Sequence, residues 1–109
     1  MIDMAKSLTV FFCKKNKDEH LEFTTSSPVV VKLASEWIGS ETGDLILHPG
    51  DTTNYLTDIS KLILELFSKT EELNEEDIDI LQALSTVHQS LRAIKPKNVV
   101  FSHYHLNLG

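Results

Sequence analysis

One cysteine, four glycines and three prolines are spread over 109 residues, and each scarcity excludes something. A lone Cys13 cannot form an intramolecular disulfide, which fits a reducing, cytoplasmic compartment. So few glycines leave no phosphate-cradling loop, and the chain has no G-x-S-x-G elbow, no H-E-x-x-H and no C-x-x-C. No cofactor is expected. No stretch reaches the ~20 apolar residues of a membrane span, and "MIDMAKS" is too polar for a signal peptide. Basic residues are also short, 10 against 16 acids, for a net charge of −6. Nucleic acid and anionic membrane surfaces are therefore excluded as expected partners, because both are bound by neutralising phosphate with Lys and Arg.

The acids are unevenly placed. Between Glu41 and Asp79 there are 11 of them against Lys61 and Lys69, which leaves that segment at −9 and the rest of the chain at +3. A basic protein partner would be drawn to it. Glu71, Glu72, Glu75, Glu76, Asp77 and Asp79 are the expected contact residues, read as solvated carboxylates in a connection and a helix start rather than as a catalytic cluster.

The length suits one domain. "SLTVFFCK" reads as an interior strand, apolar on both faces and therefore covered on two sides. Cys13 within it reads as a small buried hydrophobe with no activating neighbour. After a charged turn, "HLEFTT" alternates, with Leu21 and Phe23 directed inward and His20, Glu22 and Thr24 outward. Ser27 and Pro28 open a helix whose buried face is Val30, Leu33, Ala34 and Trp37, ended by Gly39 or Gly43. "DLILH" is a short strand stopped by the "HPGD" turn. A long helix follows from Asp51 or Thr52, with Leu56, Ile59, Leu62, Ile63, Leu66 and Phe67 in one arc, Tyr55 beside them and Leu64 outside. Asn74 caps the next helix, with Glu75, Glu76 and Asp77 favourably placed in its first turn. Its inner face is Ile80, Leu81, Leu84, Val87 and Leu91; Arg92 and Lys95 close it and Pro96 stops it. "NVVFSHYHL" is the last strand. The order β-β-α-β-α-α-β predicts a single α+β domain over 1–109, a mostly antiparallel sheet of about four strands with two long amphipathic helices and one shorter one.

The histidines carry the remaining chemistry. On a strand His103 and His105 project from one face, where their imidazoles could share a metal ion with His48, Asp51 being a further candidate ligand. The competing expectation is the solvated end of a closing strand. His88 falls within the apolar arc of its helix, between Leu81 and Leu84 on the wheel, as a core histidine that is neutral when buried. If it pointed along the sheet carrying His103, the two could form a catalytic pocket. The helix pair joined by "KTEELN" imitates a DNA-reading helix-turn-helix only superficially, since its second helix has no basic stripe.

By size, charge and lack of catalytic motifs the chain is similar in type to small bacterial immunity proteins and antitoxins, a likeness of class rather than of motif. It implies a protein that neutralises or escorts a basic partner. A histidine- or metal-dependent enzyme and a structural homodimer are the alternatives, and the expected state is monomer or homodimer.

Overall fold

The structure is a computed structural model that describes residues 6–68, 72–92 and 101–109, the last span in backbone only at 101 and 102. The order is β1 (Leu8–Lys14), β2 (Glu19–Thr25), α1 (Pro28–Ile38), β3 (Gly43–Leu47), α2 (Pro49–Phe67), α3 (Glu75–Arg92) and β4 (Phe101–Leu108). The α+β class and the order β-β-α-β-α-α-β are those expected from the sequence. The strands form one sheet in the order β2-β1-β4-β3, with every neighbouring pair antiparallel.

One side of that sheet carries the core. Leu8 and Val10 of β1, Leu47 of β3 and Tyr104, Leu106 and Leu108 of β4 are buried with residues from all three described helices. Those helices are Val30, Leu33 and Ala34 of α1, Tyr55, Ile59 and Leu66 of α2, and Leu84, Val87 and Leu91 of α3. Strand residues alternate between faces. Thr9, Phe11, His103, His105, Asn107, Asp44 and Ile46 therefore lie together on the opposite face, away from the described helices. The expectation that β1 is covered on two sides is corrected accordingly. β1 is interior within the sheet, but its second apolar row packs within the sheet surface, as with Phe11 against His105 at 5.5 Å between ring centroids.

The β1–β2 hairpin turns through Lys14–Lys17, closed by the Lys17 N–H to the Lys14 carbonyl at 3.1 Å. Asn16 takes the left-handed conformation there (φ 61°), which asparagine tolerates well. A bulge then changes the phase of β2: Val10 pairs with Phe23, but Phe11 already pairs with Leu21, leaving Glu22 as the extra residue. The bulge keeps Phe23 half-buried against the core and puts Leu21 on the open face, 63% exposed. This corrects the simple alternation that directed both inward.

The helix ends correct, refine or match the expectation in turn. α1 begins after Ser27, whose side chain makes no capping bond, and ends at Gly39 (φ 81°) with its N–H on the Ser35 carbonyl at 2.7 Å. Glycine meets no steric penalty in that left-handed cap. α2 starts at Pro49, not at Asp51, because proline's missing N–H is harmless in the first helical turn. Asp51 accepts the His48 backbone N–H at 3.1 Å, so "HPGD" is a helix start rather than only a turn. At the other end Phe67 is 62% exposed instead of joining the inner arc, while Leu64 lies outside that arc as expected, 66% exposed. α3 is capped by Asn74, as its sequence predicts: the Asp77 N–H donates to Asn74 Oδ1 at 2.8 Å, and the Asn74 N–H to Asp77 Oδ2 at 3.2 Å. Lys95, Pro96, Val99 and Val100 lie outside the described residues.

The Trp37 indole N–H donates to Asp58 at 2.8 Å, fastening α1 to α2, and its ring meets Tyr55 edge-on at 5.1 Å. Tyr55 is 1% exposed, and its hydroxyl has no hydrogen-bond partner among the described residues. Burial first, and then the Asp58 charge, push its ionisation well above the ordinary phenol range. An unpaired buried hydroxyl costs stability, so Tyr55→Phe is expected to be neutral or stabilising by up to about 1 kcal/mol. Urea denaturation checks this; a loss of stability would show that the hydroxyl is satisfied.

Candidate functional site

The sequence-predicted residues fall on opposite sides of the molecule. His103 and His105 lie on the open sheet face, whereas the described acidic residues Glu72, Glu75, Glu76, Asp77 and Asp79 belong to the helical layer. They form two different sites.

On the open face, β4 runs on past the histidines to Leu108 between β1 and β3, so the pair is not the polar end of a closing strand. The side chains of His103 and His105 are only 20% and 22% exposed. Position, cross-strand pairing and bulge bring carboxylates to them. Glu19 reaches across β1 from the start of β2, with Oε2 2.9 Å from His105 Nδ1 and Oε1 3.5 Å from His103 Nε2. From β3, Asp44 Oδ1 lies 2.7 Å from His105 Nε2 and accepts the Asn107 side-chain N–H at 2.8 Å. His48 sits at the margin, its ring centroid 6.3 Å from that of His103, with Asp51 at 3.6 Å from His48 Nδ1.

Both ring nitrogens of His105 thus face carboxylate oxygens. Only the imidazolium can donate from both, since a neutral ring has a single N–H. Burial alone would lower the pKa of His105. The hydrogen bonds to Glu19 and Asp44 outweigh it and lift the pKa above the ordinary 6.5. In return the bond to His105 holds Glu19 below its ordinary 4.5, and the Asn107 bond, followed by that to His105, holds Asp44 below 3.8.

This geometry bears directly on the expected metal site. His103 and His105 do share a face, and His48 is close to His103. Yet metal ligation needs an unprotonated nitrogen lone pair, and both nitrogens of His105 are committed to carboxylates. Among the described residues no group of three His, Cys, Asp or Glu side chains is arranged to hold a metal ion. His88 is half-buried on α3, which packs on the core side of the sheet, while His103 projects from the other side. The four strands separate them, and the shared catalytic pocket is not formed. Cys13 is buried, with its thiol against the Lys14 and Lys17 carbonyls at 3.3 Å each, as expected of a structural cysteine.

In the helical layer Glu72, Glu75, Glu76 and Asp79 are exposed around the start of α3. Asp77 is not: it is 6% exposed and occupied in the capping pair with Asn74. Its expected place among solvated contact residues is corrected, because a carboxylate at the third helical position caps the helix start. Glu71 lies outside the described residues. Beside this acidic end, the helices leave an apolar cleft that periodicity did not reveal. Val29 of α1, Leu62 and Leu66 of α2, and Ile80 and Leu84 of α3 line a recess of about 230 Å³ with Glu65 and Asp77. An adjoining recess of about 240 Å³ shares Val29 and Leu62 and adds Leu33, Lys32 and Glu36. Three helices converging on one sheet do not close on one another completely, and only their relative placement shows the gap.

Sequence reasoning missed Glu19, Asp44 and Asn107. The one available signal was the period-2 pattern of β3 and β4, which gives Asp44 and Asn107 a face but not a neighbour. None of the described helices is long and apolar enough to cross a membrane. No protein-family model matches the chain, and no curated protein and no solved structure is significantly similar to it.

Proposed function

We propose that this chain is a non-enzymatic protein-binding protein that neutralises or escorts a basic partner, in the manner of immunity proteins and antitoxins. The observation that carries this reading is the apolar cleft between α1 and the α2–α3 pair, which opens beside an acidic surface. Its floor of Val29, Leu62, Leu66, Ile80 and Leu84 offers desolvated contact area. Around it stand Glu36 and Glu65, with Glu72, Glu75, Glu76 and Asp79 exposed at the start of α3. Lys32 is the one basic residue among the described residues lining either recess. An apolar centre with a polar rim, here mostly acidic, is the anatomy of an interface. It selects a partner segment with apolar side chains flanked by lysine or arginine. The acidic field accelerates encounter, and the cleft supplies retention.

The test uses the full chain as bait in extracts of the cells that make it, alongside two variants. Glu72→Lys/Glu75→Lys/Glu76→Lys reverses the rim, and Leu62→Glu places a charge in the cleft. A basic protein retained by the wild type and lost from both variants, with circular dichroism unchanged, supports the reading. With that protein purified, charge reversal is expected to slow association by about 10-fold or more at low salt. Capture of an acidic protein, or binding indifferent to both variants, overturns it.

A further inference from the structure

We propose that His105 is a proton-dependent clamp that joins the two edge strands of the sheet across its open face. β2 and β3 are the edges of the order β2-β1-β4-β3, and among the described residues no backbone pairing connects them. The His105 side chain does, holding Glu19 of β2 through Nδ1 at 2.9 Å and Asp44 of β3 through Nε2 at 2.7 Å. These contacts bridge 86 and 61 positions of chain. The inference is independent of the proposed partner, whose site lies on the other side of the molecule.

The clamp works only while the ring carries two protons. On losing one, the ring keeps a single N–H, and the other nitrogen presents a lone pair to a carboxylate. One edge contact is then replaced by repulsion. The groups facing His105 from each neighbouring strand are Glu19 from β2, Asp44 from β3, the apolar Phe11 from β1, and Asn107 and His103 on β4 itself. His103 shares Glu19, and Asn107 shares Asp44. His48 and Asp51 lie beyond His103.

The direction of the pH effect follows from linkage. His105 has a raised folded-state pKa, so its contribution is fully present below about 6.5 and is lost as pH rises through the raised value. Glu19 and Asp44 are lowered, so theirs is present above about 4.5 and 3.8 and is lost as pH falls through the lowered values. The clamp is therefore strongest in mildly acidic solution and opens as pH rises through the raised His105 value, loosening an edge strand.

Nuclear magnetic resonance of the imidazole nitrogens of the whole chain decides the matter without mutation. His105 is expected as a doubly protonated ring at about pH 6, titrating above the ordinary value, with amide protection in β3 or at the start of β2, taken relative to the intrinsic base-catalysed exchange rate, falling through the same transition. Thermal unfolding of His105→Gln gives the second readout. It should melt roughly 3–6 °C below the wild type at about pH 5.5, with most of that gap gone once pH has risen through the His105 titration. Glu19→Gln and Asp44→Asn should each lower the His105 titration. A His105 that titrates at or below the ordinary value, or edge-strand exchange that ignores its titration, overturns the clamp even if His105→Gln does not fold. A melting gap that stays constant with pH overturns it equally.

Discussion

Tyr104→Ala is expected to remove roughly 3–5 kcal/mol of folding stability, a large part of the ~5–15 kcal/mol available to a domain of this size. Tyr104 is fully buried at the centre of the sheet, with its ring 6.0 Å from that of Phe12. Its hydroxyl points at the Ser90 and Leu91 carbonyls, 3.1 and 3.2 Å away near the end of α3, where helix carbonyls lack intrahelical partners. Burial first, and then the Glu22 charge, keep that phenol protonated far beyond neutral pH. The ring thus fills the core while the hydroxyl fastens α3 to β4. Tyr104→Phe separates the two roles: the ring stays, the carbonyls lose a donor, and the loss should be about 0.5–1.5 kcal/mol. Urea unfolding of both variants measures the difference. Equal losses would mean that the hydroxyl, not the ring, carries the stability.

Two adjacent positions on β4 should respond very differently to the same truncation. Leu106 is 1% exposed and pairs with Val10 on one side and Leu45 on the other. Leu106→Ala leaves a cavity between strands and helices and should cost about 2–5 kcal/mol. Asn107 is exposed on the open face, where its amide donates to Asp44. Asn107→Ala should cost about 0.5–1 kcal/mol. The contrast comes from strand geometry, since neighbouring side chains leave opposite faces of the sheet. Comparable losses at the two sites would mean that the open face is covered as fully as the core.

Much of the architecture is visible in local patterns. Val30, Leu33 and Ala34 recur at helical spacing and are buried on α1; Leu84, Val87 and Leu91 do the same on α3. Tyr104 and Leu106 alternate with His103 and His105 on β4, and the two sets part to opposite faces. Asn74 before three acidic residues predicts a helix start, and it caps one. Errors gather where a local rule has two outcomes. "HPGD" contains two breakers, yet proline in a first turn permits the helix to begin. "HLEFTT" alternates, yet one extra residue turns Leu21 outward. Phe67 fits the apolar arc of α2, but at its last residue the side chain is left largely exposed.

The candidate sites were less legible. That His103 and His105 share a face follows from a repeat of two along a strand, a property of the backbone that any sequence displays. What surrounds them does not follow from it. Glu19 is 86 residues from His105 and on a strand that is not its neighbour. Its reach depends on β1 lying between them, on the register of Cys13 with both His103 and Glu19, and on the bulge at Glu22. The same holds for the cleft, whose lining comes from three helices.

Element order, helix and strand faces and the surplus of acid over base are properties of neighbours in the chain, where backbone geometry alone relates one residue to the next. Strand order, the side of the sheet that the helices cover, and the partners of His105 arise between distant segments. They depend on which packing of those elements buries the most apolar surface without leaving polar groups unpaired. Only the folded arrangement, with β4 inserted between β1 and β3, turns a pair of histidines into one ring held between two edge strands.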